Sequence, residues 1–165
     1  MPSLTFYPYH FSSNNHTTEM LELTSTDPLV ISGIEDIISN MLLRHSGDLE
    51  DFHVESHMTH FSPENQDKWL EYASHHNVQN LFFSDHTANP RYAEEDIPHL
   101  FSCLRLVTLR LRNYILTSLP IDFVGFRYLI SCCLIDVQLT DESLASLVSY
   151  CPLLQKLDVK CEVLG

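Results

Sequence analysis

A short apolar pattern that recurs along the chain constrains its fold more than any other feature of the sequence. The pattern is L-x-x-L-x-L, in which other apolar residues sometimes replace leucine, and it occupies residues 49–54, 78–83, 106–111, 129–134 and 154–159. Successive copies begin 29, 28, 23 and 25 residues apart. Alternation of the last two apolar positions is typical of a β-strand with one buried face. Five such strands at near-regular spacing indicate a repeat architecture.

The intervals between the copies contain segments of helical period, which can return the chain and cover each strand. Apolar residues at helical spacing predict a helix over residues 28–45. Pro63 is placed for the first turn of a second helix, because proline is well tolerated at that position. The other candidate elements are shorter: a turn over residues 96–103, a loop over residues 119–126, and a helix capped by Thr140 or Asp141.

Strands that alternate with covering segments predict an α/β fold, and the spacing of the copies is that of leucine-rich repeats. We therefore expect a leucine-rich-repeat solenoid fragment of about five repeats, with a curved, mostly parallel sheet and helices on its convex side. This domain is expected to span residues 28–165, after a polar N-terminal segment, residues 1–27, that is expected to be poorly ordered. An ordinary α/β domain whose strands match the pattern by chance is the alternative.

The turn after each strand departs from the usual form of such repeats. The last three copies extend to L-x-x-L-x-L-x-x-z-x-L, in which z is commonly Asn or Cys. Tyr114, Val137 and Glu162 occupy this position here. Because the usual side chain at z forms hydrogen bonds within the turn, its replacement predicts an irregular ladder between the repeats.

The charge of the chain argues against nucleic acid and anionic membranes as partners. Nine lysines and arginines stand against 22 aspartates and glutamates, and the net charge is −13, which repels both kinds of polyanion. The longest apolar run, residues 128–135, is too short to span a bilayer. Five cysteines, an odd number, occur without a secretory signal, and this usage predicts reduced thiols in a cytoplasmic or nuclear protein.

No arrangement of side chains predicts a catalytic, cofactor or metal site. His57 and His60 are three residues apart and His75 adjoins His76, but no cysteine or carboxylate joins either pair at ligand spacing. Glycine-rich phosphate loops and the nucleophile motif G-x-S-x-G do not occur in the sequence. We therefore expect solvated surface histidines, no bound cofactor and no enzyme activity.

The residues that alternate with the apolar strand positions point outward and are the candidate functional residues. Aligning the copies stacks these residues in columns on the expected concave side, a surface suited to binding protein. Phe82 beside Arg110 has the aromatic and arginine character of an interface anchor. Coverage of Phe82 by the N-terminal segment is the alternative, because the end strands of a repeat stack need shielding. The predicted protein-binding residues are His53, Phe82, Arg110, Arg112, Asp158 and Lys160.

From about residue 30 onward the sequence resembles the repeat region of plant F-box/leucine-rich-repeat proteins. The resemblance rests on Trp69 ahead of V-x-x-L at residues 78–81, and on L-T-D-x-x-L at residues 139–144. A C-P-x-L-x-x-L run follows at residues 151–157. Two further blocks resemble the family, residues 49–54 and 97–103.

The resemblance implies a role in protein recognition. In that family an F-box docks the Skp-type adaptor of a cullin (SCF) ubiquitin ligase, and the repeats hold the protein to be ubiquitinated. Residues 1–27 do not resemble an F-box, so we expect the substrate-binding part of such a protein without adaptor docking. Two alternatives stay open: a truncated product that is non-functional or acts as a competitor, and a general repeat scaffold unrelated to ubiquitin.

Overall fold

The computed structural model describes residues 3–6, 28–56, 61–86 and 97–160. Their elements in chain order are β1 Ser3–Phe6, α1 Pro28–Arg44, β2 Asp51–Ser56, α2 Pro63–His75, β3 Asn80–Asp85, a 3-10 helix Pro98–Ser102, β4 Thr108–Arg112, β5 Ile115–Leu116, β6 Ser131–Ile135, β7 Gln138–Leu139, α3 Asp141–Ser149 and β8 Lys156–Lys160. A six-stranded parallel sheet has the order β1-β2-β3-β4-β6-β8, and β5 pairs with β7 beside it. The fold is α/β with a parallel sheet, as the sequence predicted.

One face of the large sheet lies in the hydrophobic core. Alternate residues of β2, β3, β4 and β6 are buried, and Ile38 of α1 and Trp69 of α2 belong to the same cluster. Leu157, at an inward position of β8, is 42% exposed, because β8 is the last strand of the sheet in the described chain. The buried strand positions are Phe52, Val54, Leu81, Phe83, Leu109, Leu111, Cys132 and Leu134.

Helix α1 packs against the core through a narrow stripe. Ile34, Ile38 and Leu42 are buried at intervals of four residues, and Met41 packs partly against the same cluster. Ile37 belongs to the same apolar pattern in the sequence but is 41% exposed. Consecutive helix residues lie about 100° apart, so Ile37 is turned away from the side on which Ile38 is buried.

Helix α2 begins at the predicted proline. The Ser62 hydroxyl accepts a hydrogen bond from the backbone N–H of Asn65 at 3.3 Å, and Pro63 occupies the first helical turn. Trp69 is buried, and its indole N–H donates to the Ser39 hydroxyl at 3.0 Å. This bond ties α2 to α1 within the core.

The C-terminal half keeps the predicted turn, loop and helix. Thr140 is the cap of α3, because its side chain accepts from the backbone N–H of Ser143 at 3.0 Å. The loop before β6 is fixed from inside by aromatic rings. Phe123 packs edge-on against Phe101 at 5.0 Å and against Phe126 at 4.9 Å between ring centroids.

The turns after β4 and β6 continue the ladder without a break. Asn113 and Asp136 adopt positive φ of 63° and 53°, and their backbone N–H groups donate to the next strand at 3.0 and 2.7 Å. Tyr114 and Val137 at position z are buried. The predicted irregularity was wrong for these two turns, because an apolar side chain fills the space at z and the residue before it supplies the turn geometry. Glu162 lies outside the described residues.

Strand β1 extends the sheet at its N-terminal edge. Its four residues pair in parallel with β2, with Ser3 opposite Asp51 and Phe6 opposite Val54. Within the segment predicted for residues 1–27, the structure describes this strand alone, and the domain boundary at residue 28 stays a prediction. The edge of β2 offers unpaired backbone groups, and β1 pairs with residues 51–54 of that edge. Residues 7–27 lie outside the described chain.

Candidate functional site

The strand register gathers the outward residues into three rows across the sheet. Each row consists of Cα partners on β2, β3, β4, β6 and β8, and neighbouring strands lie about 4.8 Å apart. We call the side that carries these rows the outer face. In strand order, the first row is Asp51, Asn80, Thr108, Ser131 and Lys156; the middle row is His53, Phe82, Arg110, Cys133 and Asp158; the last row is Glu55, Ser84, Arg112, Ile135 and Lys160.

All six sequence-predicted residues stand in these rows, but they form two groups. His53, Phe82 and Arg110 are consecutive in the middle row. Arg112 belongs to the same group, because it lies on β4 with Arg110, in the last row. Asp158 and Lys160 belong to β8, two strands away from Arg110 across β6. Their alignment follows directly from the repeat spacing, and their role in binding stays a prediction.

The aromatic part of the face is a pair of rings. The Phe82 ring lies 5.3 Å from the His53 ring, with 39° between the planes, and both side chains are half-buried. Burial lowers the pKa of His53, the nearby Glu55 carboxylate opposes this effect, and the Arg110 guanidinium adds to it. His53 is therefore neutral at neutral pH, and Phe82 has a partly accessible ring beside it.

A polar cluster at the carboxyl end of β2 and β3 was not predicted. One Glu55 oxygen lies 2.6 Å from Nε2 of His86, and the other lies 3.7 Å from Nε2 of His53. The Ser84 hydroxyl is 3.0 Å from the same His86 nitrogen. His86 follows the repeat motif, so the strand alternation no longer predicts which way its side chain points. The one sequence signal for its contact with Ser84 is that the two residues are two positions apart.

The cationic part of the face lies on β4 and β8. Arg112 is 3.5 Å from Asp136, and Lys160 is 3.8 Å from Asp158. These side chains are 37% to 67% exposed, and ion pairs of this kind contribute about 0 to 1 kcal/mol. Arg110 is exposed, and within the described ranges no carboxylate lies within salt-bridge distance of it.

Cys133 is the only thiol of the described chain that reaches the outer face. It is half-buried beside Arg110, whereas Cys103, Cys132 and Cys151 are buried. Burial raises the pKa of Cys103 and of Cys132 to about 12, and it also raises the pKa of Cys151. Such thiols stay protonated at neutral pH and act as small core residues.

The described residues contain no group of three or more histidine, cysteine or acidic side chains arranged to hold a metal ion. Among the described helices, none has both the length and the apolar character that a membrane span requires. The outer face combines an aromatic pair, a carboxylate–histidine cluster and a group of cations.

A protein-family model described as "FBD-associated F-box protein At5g56370, LRR repeats" matches residues 66–165. The matched region covers more than half of the chain and contains β3, β4, β6 and β8. The chain belongs to this family. The match confirms the resemblance to plant F-box/leucine-rich-repeat proteins that the sequence motifs indicated.

Two relatives of this leucine-rich-repeat family from Arabidopsis thaliana are similar to the chain. "Putative F-box/LRR-repeat protein At5g02700" is 36% identical over 93 residues, which are 55% of this chain and 20% of that protein. "FBD-associated F-box protein At5g38590" is 30% identical over 132 residues, which are 79% of this chain and 31% of that protein. The match therefore spans less than a third of either relative. No solved structure matches the chain.

Proposed function

We propose that this chain is a protein-recognition unit, a leucine-rich-repeat solenoid of about five repeats that binds another protein on its outer face. The observation that carries the proposal is the set of three rows, each running without interruption across β2, β3, β4, β6 and β8. In a solenoid these rows line the concave side, and a rigid sheet then presents five side chains per row to a partner. We place Phe82 and Arg110 at the centre of the contact, because aromatic and arginine side chains dominate binding energy at interfaces.

The same proposal assigns no catalytic activity to the chain. The outer face offers an aromatic ring, hydrogen-bonding groups and cations, which are the components of a protein interface. In the cluster of Ser84, His86 and Glu55, the hydroxyl and the carboxylate contact the same histidine nitrogen, Nε2, whereas a catalytic triad uses the two ring nitrogens separately. We propose a binding protein without enzyme activity or cofactor, and a cytoplasmic or nuclear location in keeping with reduced thiols.

We further propose that the bound protein is a substrate of an F-box-type (SCF) ubiquitin ligase. The support is the family model and the first relative, whose names combine F-box and leucine-rich-repeat parts, together with the second relative, which is named as an F-box protein. In this arrangement the repeats select the protein to be ubiquitinated. The chain would supply the selecting surface.

Comparative affinity capture from plant cells tests the recognition function. The bait is the chain itself, compared with the double variant Phe82→Ala/Arg110→Ala. A matched control, Glu64→Ala/Lys68→Ala, removes an exposed ion pair on α2 and leaves the outer face intact. We expect a set of proteins that the chain and the control recover and the outer-face variant loses. Equal recovery by all three baits would overturn the proposal.

The ubiquitin context is tested on the proteins recovered in this way. Overproduction of the chain should change their ubiquitination, upward if the chain works within a ligase and downward if it competes with one. The outer-face variant should change neither. Unaltered ubiquitination of every recovered protein would reject the ligase part of the proposal and leave recognition standing.

A further inference from the structure

We infer that the partner segment is acidic: an extended peptide with an apolar residue that contacts Phe82 and glutamate or aspartate side chains that contact Arg110 and the cations of β8. This inference rests on the proposed recognition function and specifies the chemistry of its partner. Three features of the outer face support it: the uneven distribution of charge, the exposed Arg110 without a salt-bridge partner among the described residues, and the spacing of the strands.

Charge on the outer face is divided into two halves. Of the nine lysines and arginines in the chain, four lie at outer positions of β4 and β8, where one carboxylate accompanies them. We call the outer positions of β4, β6 and β8 the basic half. The outer positions of β2 and β3, the acidic half, contain two carboxylates and no cation. The charged residues are Arg110, Arg112, Lys156, Asp158 and Lys160 in the basic half, and Asp51 and Glu55 in the acidic half.

A cationic surface on this chain is contrary to its overall charge. The net charge of −13 repels acidic molecules at long range, so their binding requires a local concentration of positive charge. The basic half supplies that charge in one place, next to Phe82. Nucleic acid is a poor occupant, because a polyanion longer than the basic half would meet the carboxylates of β2 and the acidic remainder of the chain.

Arg110 is the side chain best placed to receive a carboxylate. It is exposed at the centre of the middle row, between Phe82 on β3 and Cys133 on β6, and it has no salt-bridge partner within the described residues. A guanidinium group can hold a carboxylate through two parallel hydrogen bonds. Arg112 and Lys160 are held only by exposed ion pairs, which a ligand carboxylate can replace at little cost.

Strand spacing sets the pattern of the peptide. β4 and β8 are two strand spacings apart, about 10 Å, which an extended chain covers in about three residues. Phe82 is one spacing from Arg110 on the other side, a distance of one or two residues. Because alternate side chains of an extended chain point to the same side, the fitting sequence is Leu-x-Glu-x-Glu, laid across the strands, and the long lysine side chains of β8 cover the remaining distance. His53 is neutral beside Phe82, so an apolar side chain meets no charge there.

The test measures binding of a fluorescent peptide that contains Leu-x-Glu-x-Glu to the intact chain by anisotropy. The matched probe has glutamine at both glutamate positions. We expect the glutamate peptide to bind more tightly than its glutamine counterpart by about tenfold or more, since each charge-assisted hydrogen bond contributes appreciably. We also expect added salt to weaken the binding. Equal affinity for the two peptides would overturn the inference.

Two arginine variants locate the site. Arg110→Gln should lower the affinity for the glutamate peptide about tenfold. Arg127→Gln removes an exposed arginine from the loop before β6 and should leave this affinity unchanged. Saturating peptide should also slow the alkylation of Cys133, which adjoins Arg110. Equal loss in both variants, unprotected Cys133, or tighter binding of a short single-stranded oligonucleotide than of the peptide would each contradict the inference.

The two proposals can fail separately. If the acidic peptide does not bind, but the Phe82→Ala/Arg110→Ala variant still loses proteins that the wild type captures, recognition by the outer face survives and the acidic partner is rejected. If neither experiment gives a difference, the outer face is not the binding surface.

Discussion

At the residue scale, His53 links the outer face to the stability of the sheet. Burial lowers its pKa below the ordinary value of 6.5, so the unfolded chain takes up a proton at a higher pH than the folded chain does. The contribution of this group to stability is present above about pH 6.5 and is lost as the pH falls towards the pKa of the folded state. Acidification therefore favours unfolding through this side chain.

We expect the variant His53→Gln to lose less stability between pH 7 and pH 5 than the wild type does. Urea unfolding at the two pH values measures the difference. His75→Gln, on the exposed last turn of α2, controls for the removal of a histidine elsewhere and should behave like the wild type. An identical pH dependence in His53→Gln and the wild type would show that burial of this ring is not linked to folding.

The cysteines give a second prediction at this scale, because the thiolate is the form that reacts. In the folded protein iodoacetamide should modify Cys133, which is half-buried on the outer face. Cys103 and Cys132 should react only after unfolding, since burial both shields them and raises their pKa to about 12. Peptide mapping by mass spectrometry, with and without urea, checks the order; modification of Cys132 as fast as Cys133 would contradict the strand register.

At the scale of elements, one close contact joins the loop before β6 to the end of α3. Gly125 has φ of 97°, and a Cβ atom added there would lie 2.3 Å from the backbone oxygen of Tyr150. Only glycine tolerates both conditions without movement of the backbone. This contact holds the loop that carries Phe123 and Phe126 against the helix.

Two alanine substitutions compare this site with a permissive one. Gly125→Ala should destabilise the protein by about 2 kcal/mol or more, because it combines an unfavourable φ with a backbone clash. Gly33→Ala, in α1, meets no atom within 4 Å and should raise stability by about 0.5 to 1 kcal/mol. Chemical denaturation of both variants measures the changes, and a neutral Gly125→Ala would show that the loop is free to move away from Tyr150.

The elements that the sequence predicted are those whose period extends over several residues. Helices α1 and α2 have a capping or proline signal and a 3.6-residue period, and strands β2, β3, β4, β6 and β8 repeat one motif. Strand β1 is four residues long and β5 has two, so neither contains enough positions for a period to be recognised. Pairing with a partner strand, which sequence alone does not show, stabilises both.

Some contacts of the candidate site could likewise be predicted from the repeat pattern, and others could not. The rows of the outer face could be predicted, because equal positions in equal motifs become Cα partners when the register is unbroken. The contact between Glu55 and His86 could not, because His86 lies after the motif and just beyond the end of β3, where the strand alternation no longer fixes the direction of a side chain. The stacking of the His53 and Phe82 rings depends on rotamers, which the repeat pattern leaves open.

At the scale of the whole molecule, the sheet is a row of strands in which each strand between β1 and β8 contacts its two neighbours. Such a stack is stabilised by the units themselves and by the interfaces between adjacent units. Leu109 of β4 is 1% exposed and lies between Leu81 of β3 and Cys132 of β6. A cavity at this position removes packing at two interfaces simultaneously.

We expect Leu109→Ala to lower the free energy of unfolding by about 2 to 5 kcal/mol, as buried leucine truncations do. Leu43→Ala, at a side chain of α1 that is 77% exposed, should change it by less than about 0.5 kcal/mol. Hydrogen exchange then shows how the effect spreads. Amides of β3, β4 and β6 should lose more protection than those of β2 and β8, because coupling passes through adjacent strands. Uniform loss in all strands would instead indicate a single cooperative unit that does not behave as a stack.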